Sequence, residues 1–522
     1  MSDDLRDAAD DAPVLPDWLT PLPDAAQQRA TDAWAIEERG IPGIELMEHA
    51  GAGLADEVAR RVPEGRIAVV VGTGNNGGDG LVVARRLGES GREVDVLMLG
   101  AGEELRGDAR ANYDRLVQTA AAHPRPFEPA ALQGAAGVVD AILGTGFGGE
   151  PREPARTAIA AINEVAGDAV VIACDVPSGV DASTGEVAGA AVGADVTVTF
   201  HAPKPGLWIS PGKTCAGEVV VTDIGIPDGA PARPAIGLIE AAVLSAVPHR
   251  AHDSTKFAAG SVLVCGGSTG LTGAPSMAAE SAMRAGAGYV TVLVPASLNM
   301  VFEVRLLEAM SVPLTDRAGA LTPAALDLVL ERAQRADAIV LGPGLGREPG
   351  TFKLARRLAQ RLEIPLLLDA DGLNAHAGRL ESLAVRPAAT VLTPHAGELA
   401  RLLGNESGEV AAHRLRCARD AAAQADAIVV LKGDDTIVAA PDGRAAVSRG
   451  GAPALATAGT GDVLSGVIGA YLSKGMDAFD AACAGVFIHA RAGRLAARTI
   501  GAEGVVAGDV IGLLPRARSG DE

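Results

Sequence analysis

Residues Val71–Leu87 read VGTGNNGGDGLVVARRL, and this stretch decides the fold of the first half of the chain. An apolar run, RIAVVVG from Arg66, empties into a Gly-rich turn and then into an amphipathic segment. Such a turn presents backbone N–H groups at a helix N-terminus, where an anion is favoured. The spacing is neither GxGxxG nor that of a P-loop, so neither standard phosphate fingerprint applies. The core Asn75, Asn76, Gly77, Gly78 and Asp79 adds side-chain oxygens that can meet a cation or a sugar hydroxyl. A plain strand–helix turn is the competing reading.

Working outward, the same alternation continues on both sides. EVDVLMLG (from Glu93), GVVDAILG (from Gly137), DAVVIACDVP (from Asp168), ADVTVTF (from Ala194) and GEVVVTDIG (from Gly217) are short apolar runs between Ala-rich segments. Near-continuous apolar strands with helical spacers predict a parallel sheet covered on both faces. PDGAPARPA, from Pro227, has no periodicity and reads as a linker over 228–236. A second series follows: GSVLVCGG (from Gly260), GYVTVLVP (from Gly288), DAIVLGPG (from Asp337), IPLLLDAD (from Ile364), AATVLTPH (from Ala388) and DAIVVLKGDD (from Asp426). The motif order is not shared, so two different α/β domains are expected at 23–227 and 237–516. Unstructured tails are expected at 1–22 and 517–522.

Composition excludes several classes. Acidic residues outnumber basic ones 65 to 45, giving a net charge of −20, which argues against a nucleic-acid or anionic-membrane surface. Hydrophobic residues at 48% and charged ones at 21% exclude a disordered chain. With aromatics at 3% and Gly at 65, the cores must be built from Ala, Val, Leu and Ile. The five cysteines are scattered without CxxC spacing, fitting neither a disulfide framework nor a zinc site. The opening MSDDLRDAADDAP is acidic where a signal peptide is basic then apolar, and no apolar run approaches ~18 residues. A soluble, cytoplasmic protein is expected.

In an open α/β sheet, ligands gather at the carboxyl ends of strands. Asp140 closes GVVD ahead of Gly144, Thr145, Gly146, Phe147, Gly148, Gly149 and Glu150. Asp175 follows VVIAC in CDVPSG with Ser178 three positions on, and HAPKPG supplies Lys204. Each alone reads as turn chemistry; together they predict a site. NNGGDGLV, DAILGTG, DVPSG and APKPG, after an IEERGIPGIELMEHAG helix, resemble the N-terminal domain of bacterial NAD(P)H-hydrate repair enzymes over roughly Pro23 to Ile226. The resemblance implies a Rossmann-like three-layer sandwich that epimerises the R and S forms of NAD(P)H hydrated at C6 of the nicotinamide ring. It places substrate against Asn75–Asp79 and Gly144–Glu150, and K⁺ on Asn76, Asp140 and Ser178. Oxygen-only ligands suit such a hard cation. Asp175 matches a substrate-contacting carboxylate. Inverting C6 needs loss and return of water, or ring opening and reclosure. Asp175 is the best-placed acid or base, and Lys204 the second candidate or a pyrophosphate partner. His49 stands where the family usually has Asn.

The second half carries HDSTKFAAGSVLVCGGSTGLTGAPSM (from His252), LGPGLG (from Leu341), LLLDADGLN (from Leu366), TPHAGE (from Thr393), LKGDDT (from Leu431) and TAGTGDVLSGVIGAYL (from Thr457). Gly459, Thr460, Gly461 and Asp462 head a helix whose amides can hold an anion, with a carboxylate beside it to deprotonate an attacking hydroxyl. A capped helix with Asp in its first turn is the competing reading. The GTGD arrangement resembles the ribokinase-like fold. With KGDDT and TPHAGE, the set resembles the C-terminal, ADP-dependent hydrated-NAD(P)H dehydratase domain of the same family, from about Ala235 to Leu514. The resemblance implies that Ala274, Gly344, Gly346, His395 and Asp462 face the hydrated nucleotide. It implies that Lys432, Gly433, Asp434, Asp435 and Thr436, with Gly459, Thr460 and Gly461, bind ADP accompanied by Mg²⁺. The β-phosphoryl of ADP would pass to the C6 hydroxyl, because phosphate leaves far more readily than hydroxide. Pro275 stands where the family usually has Ala, near a helix start where Pro is tolerated.

Hydrated NADH and NADPH and ADP are therefore the expected partners, with self-association into a homo-oligomer and no nucleic acid or membrane. Two other readings compete. One is a ribokinase-like small-molecule kinase, whose phosphorylated product would accumulate. The other is a non-catalytic Rossmann-like binding module, as similar domains are in some RNA-associated scaffolds. Of nine His residues only His395 sits in a motif, and none has HExxH spacing.

Overall fold

The computed structural model describes residues 14–119, 122–250, 252 and 255–519. The chain divides into two compact units, one of Pro21–Ile236 and one of Leu15–Thr20 with Gly237–Glu522.

The first unit is built on a seven-stranded sheet. In spatial order its strands are Pro124–Pro126, Val94–Met98, Ile67–Val71, Gly137–Ala141, Val170–Cys174, Val196–Phe200 and Glu218–Thr222. Every neighbouring pair is parallel. The strand Ile67–Val71 is buried along its whole length, and its alternate residues feed different cores. Ile67, Val69 and Val71 join Leu54, Leu81 and Val83 on one face, while Ala68 and Val70 join Ile159 and Ile162 on the other. This is the expected three-layer sandwich. The order reverses between Ile67–Val71 and Gly137–Ala141, a topological switch point that opens a crevice at their carboxyl ends. The helix Asn75–Glu89 starts in that crevice. A Cβ on Gly77 would lie 2.0 Å from the Gly72 carbonyl oxygen, so only Gly lets the turn close this tightly onto the strand end.

The second unit carries an eleven-stranded sheet. Its parallel part runs Ile428–Leu431, Thr390–Leu392, Leu366–Leu368, Ala338–Leu341, Ser261–Cys265, Tyr289–Pro295 and Met310–Leu314. Ile437–Ala439 and Ala445–Val447 extend it antiparallel, followed by Ile236–Ile239 and Leu19–Pro21 at the edge. Val262, Val264, Val340 and Val391 pack with the helices Gly273–Arg284, Thr460–Ser473 and Ala478–Ile500 in one large core.

Two expected boundaries are corrected. Residues 14–22 are not a tail: Leu19 is 4% exposed in the second unit's core, and the Trp18 ring lies 6.2 Å from Phe479. The apolar Leu15, Trp18 and Leu19 supply the burial that the acidic residues before them cannot; residues 1–13 lie outside the described residues. At the other end, the helix Ala507–Ser519 runs through the start of the expected 517–522 tail, with Ala517 buried, and 520–522 lie outside the described residues.

Candidate functional site

In the first unit a cavity of about 790 Å³ opens at the switch point. It is lined by Asn75, Asn76 and Asp79, by Gly144 to Phe147, and by Asp175 and Lys204. Gly77 and Gly78 face the packing behind the turn, and Gly148, Gly149 and Glu150 lie beyond the lining residues. A Cβ on Gly144 would come within 2.8 Å of Asn76 Oδ1, so the two loops meet at this point.

Asp175 follows its strand with a left-handed backbone (φ 66°), which turns its carboxylate into the crevice. Lys204 Nζ (2.7 Å) and Thr199 Oγ1 (3.1 Å) donate to Oδ1; the Thr145 amide (3.2 Å) and hydroxyl donate to Oδ2. Burial pushes this carboxyl up, but the Lys204 charge and these hydrogen bonds outweigh it and hold it below the usual range. Lys204 is 1% exposed and also donates to Thr199 Oγ1 and the Phe200 carbonyl. Asp79 is the opposite case. Burial, with the charges of Asp175 and Asp32, pushes it well above the ordinary value. Sequence reasoning missed Asp32, which lines the same cavity from the helix Ala25–Glu37 and accepts from Gln28 at 2.9 Å. An acid on a helix with little apolar patterning carries no sequence signal for that role.

Asp140 and Ser178 sit beneath the cavity, both fully buried. Ser178 donates to Asp140 from its hydroxyl (2.6 Å) and its amide (2.8 Å), and its hydroxyl also bridges to the Leu143 amide. Burial raises the Asp140 pKa to about 6. Asn76 lies against the Gly144 loop, with its Nδ2 buried and unpartnered. His49 packs its Nδ1 2.9 Å from the Ile224 carbonyl oxygen, which gives the departing residue a structural role.

In the second unit the candidate residues follow four adjacent parallel strands. Gly342–Gly346 follows Ala338–Leu341, Asp369 follows Leu366–Leu368, His395 follows Thr390–Leu392 and Lys432 follows Ile428–Leu431. Lys432 Nζ donates to Asp369 Oδ1 at 3.0 Å and lies 3.9 Å from Glu398 Oε2; Ser465 Oγ donates to Asp369 Oδ2 at 2.7 Å. Burial works against the Lys432 ammonium, but Asp369 and Glu398 outweigh it and raise its pKa. Asp462 stands in the first turn of Thr460–Ser473, behind the left-handed Gly459. Burial, and then the Asp369 charge, raise its pKa to about 7. Asp369, Glu398 and Ser465 were given no role from sequence, although each lies inside a motif that was read.

His395 caps the helix Ala396–Leu403, accepting from the Gly397 and Glu398 amides, and burial keeps its ring less basic than usual. Ala274 lies on the helix Gly273–Arg284 beside Gly344, and the Gly346 amide donates to Asp371. Both KGDDT acids are held by protein groups, Asp435 buried and Asp434 exposed. Asp434 accepts from the Gly451 amide (2.7 Å), Asp435 from Arg414 Nε (2.8 Å), and the Thr436 hydroxyl donates to Gly433 O (2.6 Å). The Thr460 hydroxyl is likewise spent on the Leu455 and Thr457 carbonyls, while Gly461 faces Lys432 Nζ.

Comparison with known proteins follows this division. Residues 262–516 match the family model described as NAD(P)H-hydrate dehydratase, and residues 43–206 match the YjeF-related protein N-terminus. A bifunctional NAD(P)H-hydrate repair enzyme of Moorella thermoacetica is 40% identical over 507 residues, covering 94% of this chain and 95% of that protein. The chain belongs to the bifunctional NAD(P)H-hydrate repair enzyme family. The Salinibacter ruber member is 40% identical over 98% of this chain and 97% of its own length. A Bacillus subtilis ADP/ATP-dependent NAD(P)H-hydrate dehydratase, co-crystallised with ATP and Mg²⁺, is 30% identical over 53% of this chain and 95% of its own, with a TM-score of 0.46. In this family member no helix among the described residues is long and apolar enough to cross a membrane.

Proposed function

We propose that this chain repairs hydrated NAD(P)H in two steps. Its first unit interconverts the R and S hydrates. Its second converts the S hydrate to NAD(P)H at the expense of ADP, releasing AMP and phosphate.

The observation that carries the second step is Asp462, bare of hydrogen bonds among the described residues, at the head of a helix and beside Lys432. The helix N-terminus and the Lys432 ammonium draw the nucleotide phosphates in, and Gly461 lets the backbone approach them. Asp462 then takes the proton of the C6 hydroxyl as its oxygen bonds to the β-phosphorus and AMP departs. A carboxyl with a pKa of about 7 suits this transfer near neutrality. Loss of phosphate from C6, with a proton from the neighbouring carbon, restores the double bond. Asp369, clamped between Lys432 and Ser465, positions the ammonium. Mg²⁺ arriving with the nucleotide would neutralise phosphate charge; among the described residues no group of three acids, His or Cys is set for a metal, which fits an ion carried on substrate phosphates.

In the first unit Asp175 and Lys204 face the nicotinamide end, and Asn75 to Asp79 with Gly144 to Phe147 hold the substrate. K⁺ fits Asn76, Asp140 and Ser178 by donor chemistry, since one carboxylate among neutral side-chain oxygens suits a large monovalent ion. It would keep Asp140 ionised and brace the Gly-rich turn. Incubating the S hydrate with ADP tests the whole reading. NADH absorbance should return with one AMP and one phosphate per NADH, whereas accumulation of a phosphorylated hydrate would favour a simple kinase.

A further inference from the structure

We propose that Asp79 is the proton donor of the epimerisation, and that Asp175 works as a fixed anion that never accepts the proton. This rests on the epimerase reading of the first unit and departs from the expectation that Asp175 is the acid or base.

Lone pairs decide the assignment. A carboxylate offers about four acceptor sites. Asp175 accepts four hydrogen bonds, two on each oxygen, from Lys204, Thr199 and both donors of Thr145. It has no site left for a substrate proton unless one of these breaks. Asp79 lines the same cavity and, among the described residues, receives no hydrogen bond. It lies one helical turn beyond Asn75 and Asn76, the residues that begin the helix at the mouth of the crevice. The charged groups around it are Asp175, Asp32 and Lys204, and the fully buried Cys174 thiol, which burial and the neighbouring acids keep protonated, also faces it. Further out on the cavity wall are Arg29, Glu104, Asp108, Arg152 and Glu153, and His201 acts on Asp32. Two nearby carboxylates repel full ionisation of both, and the one paired with the ammonium keeps its charge. Burial and these neighbours accordingly favour the protonated form of Asp79 and the ionised form of Asp175.

The step balances without any further reactant. The Asp79 carboxyl gives its proton to the C6 oxygen, the C6–O bond breaks and water leaves. The N1 lone pair becomes the N1=C6 bond of a cation, which the Asp175 charge stabilises. Water adds to the opposite face of C6, the electron pair returns to N1, and the extra proton passes through solvent back to the Asp79 carboxylate. No oxidant, reductant or metal takes part.

The test uses the full chain and the R hydrate, with excess ADP so that the S form is consumed as it appears. Wild-type epimerisation should fall on the alkaline side, since the active form holds a proton that is lost as pH rises through the Asp79 pKa. Asp79→Asn should lose about 100-fold or more, and its residual rate should no longer fall with rising pH. Asp79→Glu, which keeps a carboxyl should the amide disturb folding, should retain part of the rate and the alkaline limb. S-hydrate dehydration in the same samples should be unchanged. An Asp79→Asn enzyme with near wild-type rate and its alkaline limb intact would overturn the proposal. So would an Asp175→Asn enzyme that alone lost the limb. A wild-type chain that never epimerises the R hydrate would instead overturn the proposed function itself.

Discussion

Asp462 and Asp175 begin as the same carboxyl and are driven apart by their neighbours. Asp462 is buried against Asp369 with only the Lys432 charge in its favour, and its pKa rises to about 7. Asp175 shares its Lys204 ammonium with no competing acid in hydrogen-bond reach and lies below the usual range. The proposed dehydration needs the ionised form of Asp462. Its kcat/KM should therefore rise with pH and level off above about 7, falling about tenfold per unit below it. Asp462→Asn should remove ADP-dependent NADH recovery by at least about 100-fold and spare epimerisation. Near-normal recovery would refute the base assignment. In Asp369→Asn the acid limb should move to lower pH, because the anion that raises Asp462 is gone. An unmoved limb would show that Asp369 does not act through charge. Asp175→Asn should leave S-hydrate dehydration untouched and slow R-hydrate conversion towards its spontaneous rate, read as a lengthened second phase of NADH recovery.

At the scale of elements, the twelve apolar runs read from sequence all form strands; eleven are mostly buried, where both faces must be apolar, and Glu218–Thr222 is an exposed edge. The strands that escaped reading are mostly very short or lie at a sheet edge. Pro124–Pro126 is Pro-Arg-Pro at a sheet edge, and Ile437–Ala439 and Ala445–Val447 are three residues each. Leu19–Pro21 was hidden for a different reason: its core is made with residues more than 200 positions away, such as Gly237, against which the Leu19 side chain rests. Leu19→Ala should cost the second unit about 2–5 kcal/mol, seen as a lower midpoint for its unfolding transition. An unchanged midpoint would mean the segment merely lies on the surface. The site shows the same limit. Asp140, Asp175 and Lys204 were legible because strand ends in an open sheet converge. The pairing of Asp434 and Asp435 within the protein was not, because only the folded loop shows Gly451 and Arg414 as their partners.

The whole molecule joins two units, each with its own sheet, core and acid-bearing site. On the proposed reading, a chain with net charge −20 recruits anionic nucleotides with a few inward cations, Lys204 and Lys432, and with helix N-termini rather than a basic surface. Joining the activities makes chemical sense. The second unit consumes one hydrate epimer, and without the first the other would wait for spontaneous inversion. The most direct measurement follows NADH absorbance after the full chain meets an equilibrated mixture of both hydrates with excess ADP. The account predicts complete enzyme-dependent recovery, whereas with Asp175→Asn recovery beyond the S fraction should slow towards the spontaneous rate of inversion. Wild-type recovery that halts at the S fraction, or proceeds without ADP, would contradict it.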